Sequence, residues 1–330
     1  MQNIKSDLLI NSVNDYVNSN ETNIKNGGKN FSNVELYGRL LLLNFFQKNE
    51  IFTNSKIDYK IEDIKIKLKI DPKFDNFFNA LLVILKKSGF IKIDNDRIIF
   101  DENAVNDLMI DDLELFKKNL IEKHNDMVNH FNLLDTCISN YDVILSAQKS
   151  PDSVMFPVYS THLVEGIFRA NMLSDYFNTL IAKISLVYSL KSKESDTNKV
   201  VKIVEVGAGT GGTSISVMDH LKDQSNVEFY FTDISKVFVK GNERKLKERY
   251  PFSIYKKLNI EEDIGGQGFT LGEFDIVIAT NVVHATKNIS HTLRQIYSLL
   301  TKNGVLLLNE VTKVQDFTTL TFGLLGGWWH

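Results

Sequence analysis

Val204–Thr213 (VEVGAGTGGT) decides the fold. It reads as a β-strand that carries an acid, Glu205, breaks into a turn holding Gly207, Gly209, Gly211 and Gly212, and then opens a helix. Glycine tolerates the dihedrals of such a turn and has no Cβ, so the backbone can approach a nucleotide-like ligand closely. Strand-like segments recur downstream at residues 227–232, 253–258, 274–280 (FDIVIAT) and 304–309 (GVLLLN), with a first strand at 202–206. The stretches between them have helical periodicity, which predicts parallel strands joined by right-handed crossovers. The expected fold class is α/β, a Rossmann-like parallel sheet over residues 199–330.

Ligands of such sheets bind beyond the carboxyl ends of the strands, near the point where strand order reverses. Each chemically notable residue here falls at a predicted strand end: Gly207, Gly209 and Gly211, Asp233, Asn259, Asn281, His284 and Glu310. Gly207, Gly209 and Gly212 also satisfy the G-x-G-x-x-G of dinucleotide enzymes, and Asp233 follows Gly212 by 21 residues, where a ribose-binding acid belongs. Glu205 separates the two readings. An anion beside a bound diphosphate is repulsive, whereas beside a sulfonium and an ammonium it is attractive. The acid therefore favours S-adenosylmethionine (SAM) as cofactor. Asp233 is expected to accept hydrogen bonds from two ribose hydroxyls. Asn259 is expected at the adenine amino group, accepting more weakly than a carboxylate would. Asn281 is assigned to the same site, orienting the amino-acid end of the cofactor or a substrate oxygen.

His284 lies just past the fourth strand and Glu310 ends the fifth. Neighbouring strands run about 5 Å apart, so residues at their tips can touch. A glutamate bonded to one imidazole nitrogen fixes the tautomer and leaves the other nitrogen free to take a proton. His284 and Glu310 are accordingly the expected catalytic pair. No metal site is expected: His124 and His130 are six residues apart, do not share a helix face well, and have no Cys or acid to complete a ligand set.

The first 33 residues are polar, contain Gly27-Gly28, and are expected to form a flexible lead-in. A mainly helical lid or substrate domain is expected over 34–195. Within it, residues 36–100 read as helices followed by a hairpin around Asp94-Asn95-Asp96, similar to a winged helix. No Arg/Lys stripe of the kind phosphate contact needs accompanies it, and the formal net charge is −3, so nucleic acid is not an expected partner. Lys191–Lys199 (KSKESDTNK) reads as a linker between domains. A single cysteine, Cys137, fits a reducing compartment, and no apolar run has the length of a membrane span. A cytoplasmic protein without membrane contact is expected.

Taken with AQKSPDSVMFP (147–157), FRANMLSDYFN (168–178), YFTDIS, DIVIATNVVHATKNI, LLTKNGVLLLNEVT and FTTLTFGLLGGWW, the chain resembles the C-methyltransferase domain of iterative highly reducing polyketide synthases, a class I SAM-dependent methyltransferase. The resemblance covers residues 36–330. It implies methyl transfer from SAM to the α-carbon of a β-ketoacyl thioester on an acyl carrier protein, alongside other polyketide synthase domains. The family's catalytic His and Glu fall on His284 and Glu310. Two departures stand out. Phe168 occupies a position where the family usually has Tyr, while Asn178 is retained. The sequence also stops at His330, directly after GGWW, so a C-terminally truncated sheet without the last antiparallel strands is expected. A stand-alone O- or N-methyltransferase of small molecules and an inactive synthase remnant are the alternative readings.

Overall fold

The computed structural model describes residues 2–110, 112–157 and 161–329. The chain divides into two compact units. One gathers the residues up to Asn26 with Ile167–Thr312, and the other gathers Gly27–Gly166 with Lys313–Trp329. In chain order the regular elements begin with α1 (Gln2–Lys48), β1 (Asp58–Lys60), α2 (Ile61–Leu68), α3 (Asp75–Lys87), β2 (Ile91–Asp94) and β3 (Arg97–Phe100). Short helices follow: α4 (Glu102–Asn106), α5 (Leu113–Lys123), α6 (Val128–Ile138), α7 (Tyr141–Leu145), α8 (Pro151–Met155) and α9 (His162–Phe168). The long α10 (Met172–Ser195) leads to β4 (Val201–Val206), α11 (Gly212–Leu221), β5 (Val227–Asp233), α12 (Lys236–Leu246), β6 (Ser253–Lys257), β7 (Phe274–Thr280), α13 (Ile289–Leu299), β8 (Leu300–Asn309) and α14 (Asp316–Thr321).

The first unit is built on five parallel strands in the order β6-β5-β4-β7-β8. The sheet grows one way from β4 through β5 to β6 and the other way through β7 to β8. Strand order thus reverses between β4 and β7, and their carboxyl ends flank the crevice where ligands of such sheets lie. Crossover helices cover both faces, so the central strands are apolar on both sides. Ile203, Phe229, Phe231, Ile276 and Ile278 pack with Ile181 and Ala182 of α10 and Val217, Met218 and Leu221 of α11. Val204, Val206, Val277 and Ala279 pack on the other face with Ile296 and Leu299 of α13. Glu205 shares the first face, paired across the ladder with Phe231 and Ile278, so its carboxylate enters an apolar layer. β8 starts at Leu300, earlier than the predicted 304, because a register shift opposite Phe274 and Ile276 lets the strand bulge. Gly304 sits in that bulge, where a Cβ would come within 2.9 Å of the Phe274 carbonyl.

The second unit carries a three-stranded antiparallel sheet, β1-β3-β2, beside α2 and α3. Its hairpin turns at Asn95 in the left-handed region (φ 52°), which Asn tolerates better than most residues. Ile61–Leu68 is a helix because Ile64 and Leu68, four residues apart, are the ones it buries, leaving Ile66 exposed. Phe77, Phe78, Leu81, Leu82 and Leu85 supply the matching stripe on α3.

Two expectations about organisation differ from the structure. Residues 2–48 form one continuous helix instead of a flexible lead-in. Tyr16 stacks on Tyr176 of α10 at 5.2 Å between centroids with Lys183 above the Tyr16 ring, so tertiary contacts supply what the polar composition lacks. Helix α10 runs to Ser195, through most of the anticipated linker, and its Ser189 hydroxyl bonds to Asn226 ahead of β5. The units therefore divide near residues 27, 167 and 313 and not near 196.

Phe229→Ala should remove a fully buried ring from this core and cost about 3–5 kcal/mol in urea unfolding. Ile66→Lys, at a position 73 % exposed, should stay within about 0.5 kcal/mol.

Candidate active site

The glycine turn follows β4 with three residues in the left-handed region: Gly207 (φ 65°), Gly209 (φ 55°) and Gly211 (φ 87°). At Gly207 space also demands glycine, since a Cβ would lie 2.2 Å from Cγ2 of Val282. Val282 comes from the segment after β7, so the turn and that segment are in direct contact. Gly212, first residue of α11, lies against the Phe168 carbonyl, with 2.5 Å left for any Cβ. Asn178 holds this junction: its amide nitrogen donates to the Phe168 carbonyl (2.9 Å) and its oxygen accepts from Thr213 Oγ1 (2.8 Å).

Glu205 is 2 % exposed and accepts a hydrogen bond from the Ser214 hydroxyl. Among the described residues it has no cationic partner. Burial pushes its pKa up to about 8, opposed by the Ser214 bond and assisted by the charge of Asp233. Asp233, at the end of β5, accepts from the Gly209 amide at Oδ2 (2.9 Å) and from the Ser235 amide at Oδ1 (2.7 Å). Burial raises its pKa, and those two bonds work the other way. Each carboxylate oxygen has a second lone pair available to a ligand hydroxyl.

Asn259 follows β6 and lines a cavity of about 350 Å³ with Glu261, Lys287 and His291. Its side-chain oxygen accepts from the Glu261 amide at 3.0 Å, and Gln267 brackets its backbone on both sides. Asn281, in the left-handed region at φ 49°, uses its side-chain oxygen to accept from the Val311 amide (3.2 Å), while its backbone N–H donates to the Asn309 carbonyl (2.8 Å). Its visible task is therefore to fasten the end of β7 to the exit of β8.

His284 and Glu310 meet. Nδ1 of His284 is hydrogen-bonded to Oε2 of Glu310, and Oε1 of Glu310 accepts from the amides of Val282 (2.9 Å) and Val283 (2.7 Å). One carboxylate thus holds the turn that bears the histidine and the histidine itself. Burial alone would raise the Glu310 pKa, but the bonds from His284, Val283 and Val282 together carry it below the ordinary value. A carboxylate that stays ionised requires Nδ1 to be the protonated nitrogen, which leaves Nε2 as the basic one. The imidazole side chain is 33 % accessible, so this base can be reached.

Sequence reasoning did not identify Ser214, Val282 or the two amides that Glu310 collects. Ser214 lies one helical turn after Gly211, a position that faces the strand, which is the signal that could have found it. Nothing local marks Val282, whose role exists only because β4 and β7 are neighbours.

Residues 204–306 match a family described as a methyltransferase domain. Polyketide synthase PksR of Bacillus subtilis is 41 % identical over 207 residues, 62 % of this chain and 8 % of that protein. PksM of the same organism is 36 % identical over 253 residues, covering 74 % of the chain and 6 % of the protein. The chain thus spans under a tenth of the length of these two relatives. The crystal structure of the DszA carbon methyltransferase superposes with a TM-score of 0.83 at 33 % identity, over 97 % of this chain and 79 % of that one. The chain belongs to the carbon methyltransferase domains of polyketide synthases.

SAM is the methyl donor of this fold, and the residues present fit it. An uncompensated buried carboxylate at Glu205 suits a ligand carrying positive charge and opposes a diphosphate. The buried Thr210 hydroxyl, within the glycine turn, also has no partner among the described residues. In this methyltransferase Gly207, Gly209, Gly211, Glu205 and Asp233 converge on one sheet edge, with Asn259 two residues beyond the end of β6.

Glu205 makes stability pH-dependent. Its folded-state pKa lies above the ordinary 4.5, so below pH 4.5 folded and unfolded chains both hold the proton. Between 4.5 and about 8 the folded chain alone holds it, and stability falls as pH rises through that window. The Tm of Glu205→Gln relative to wild type should therefore grow from near zero at pH 4.5 to about 3 °C or more at pH 8, then level off. A Tm difference that is constant with pH would rule out a neutral buried Glu205.

Proposed function

We propose that this methyltransferase transfers a methyl group from SAM to the α-carbon of a β-ketoacyl thioester carried on an acyl carrier protein, working with the other domains of a polyketide synthase. The observation that carries the reading is the His284–Glu310 pair, in which a carboxylate fixes the tautomer and position of an accessible base. A carbon flanked by a ketone and a thioester is acidic enough for neutral imidazole to deprotonate in a site of low polarity. Nε2 of His284 takes that proton, and Glu310 stabilises the resulting imidazolium without leaving its bonds to the Val282 and Val283 amides. Bound SAM supplies an electrophilic methyl group on a positively charged sulfur.

The chain's own residues then do three things. Glu205 offers an anion to the cationic end of the donor, and the glycine turn lets the backbone come close. Asp233 accepts from sugar hydroxyls, with Asn259 assigned to the adenine. His284 generates the carbanion in place, so that orientation instead of further chemistry sets the rate. Asn281, bound to Val311, contributes through the position of the turn that follows it. We also assign the protein to the cytoplasm, which the free buried Cys137 supports.

Mass spectrometry of a β-ketoacyl carrier incubated with the protein and SAM should show the addition of one methyl group. His284→Ala should lower the rate by about 10²–10⁴-fold. Glu310→Gln should also lower it, by a smaller factor, because Nδ1 loses its charged partner. Methylation of phenols in preference to β-ketothioesters would instead select the stand-alone O-methyltransferase reading, and SAM binding without any transfer would select the inactive remnant.

A further inference from the structure

We infer that Asn242 is a positioning residue for the donor site, acting through the glycine turn. The inference rests on the reading of that turn as the SAM cradle. Asn242 sits in the middle of α12 and is 7 % exposed. Its side-chain amide nitrogen donates to the Gly209 carbonyl (3.1 Å) and to the Phe238 carbonyl one turn back on its own helix (3.0 Å). The placement of oxygen and nitrogen in that amide is dictated by chemistry, since an oxygen facing two carbonyls would be repelled by both. The other end of the amide, Oδ1, lies 3.1 Å from where a Cβ on Gly211 would be. Asn242 therefore touches the turn at two of its three left-handed glycines.

The bond to Gly209 gains meaning from what happens on the other side of the same residue. The Gly209 amide donates to Asp233 at 2.9 Å, so this glycine is gripped at N–H by the end of β5 and at C=O by α12. Glycine is the residue with most conformational freedom to lose, and a turn of three such residues would otherwise sample many shapes. Fixing it before the ligand arrives removes an ordering cost that binding would have to meet. Asn242 and Asp233 lie nine residues apart, on either side of the turn into α12. Docking of that helix on the sheet is thereby coupled to the shape of the cradle. Asp233 has a lone pair left for a sugar hydroxyl; Asn242, with its nitrogen committed to two carbonyls and its oxygen against Gly211, acts only through the backbone.

Calorimetry of the full-length protein with S-adenosylhomocysteine, together with hydrogen exchange of the turn amides, tests the inference. Loss of one buried neutral hydrogen bond predicts about five- to tenfold weaker binding for Asn242→Ala, with faster exchange at 209–211. The KM for SAM should carry most of the kinetic loss and kcat the smaller share. Asn242→Asp keeps the volume but sets a carboxylate oxygen against the Gly209 carbonyl, so it should bind more weakly still. Should the alanine variant not fold, the aspartate variant carries the test. Affinity within twofold of wild type and unchanged turn exchange in a folded variant would overturn the inference, leaving Asn242 a residue of α12 packing only. Failure of the wild-type protein to bind S-adenosylhomocysteine would instead overturn the reading of the cradle, and the inference with it.

Discussion

One carboxylate carries more of this site than any other group. Glu310 collects the Val282 and Val283 amides on one oxygen and His284 on the other, so a short turn of little intrinsic stability becomes a fixed mount for a base. The same turn presses Val282 against Gly207, which passes the constraint on to the glycine segment after β4. Moving Glu310 would release the histidine, its turn and one wall of the cradle together. The bond from His284, with those from the Val283 and Val282 amides, lowers the pKa of Glu310 against the effect of its burial, and an ionised carboxylate places the imidazole proton on Nδ1.

Glu205 solves the opposite problem. It stands in an apolar layer with, among the described residues, one hydroxyl donor and no cation, and burial favours its neutral form. Such a group lowers the stability of the empty protein and offers its charge only when a cationic ligand repays the desolvation. The two acids, at the ends of strands separated in the sheet by β7 alone, thus have divergent protonation because their surroundings differ.

The glycine turn, the strand ends and the His–Glu pairing were all legible in the linear sequence. Each depends on short-range pattern: glycines fix where the backbone must bend, and the common direction of the parallel strands places Asp233, His284 and Glu310 along one edge. Asn259 and Asn281 were located at that edge correctly, but which atoms they would engage was not visible. Their side-chain oxygens turn out to accept from the amides of Glu261 and Val311. Helix α1 was misjudged for a related reason, since its polar composition gives no hint that Tyr16 finds Tyr176 160 residues away.

By itself the sequence determined the parallel sheet, the ligand class suited to its glycine turn and the pairing of His284 with Glu310, because period, residue type and spacing are local properties. The tertiary structure alone decided the rest: that Glu310 binds a turn as well as a histidine, that Val282 stands over Gly207, and that Asn242 closes on Gly209 from a neighbouring helix. Those contacts join residues 26 to 75 positions apart, and only the order β6-β5-β4-β7-β8 brings them within bonding distance.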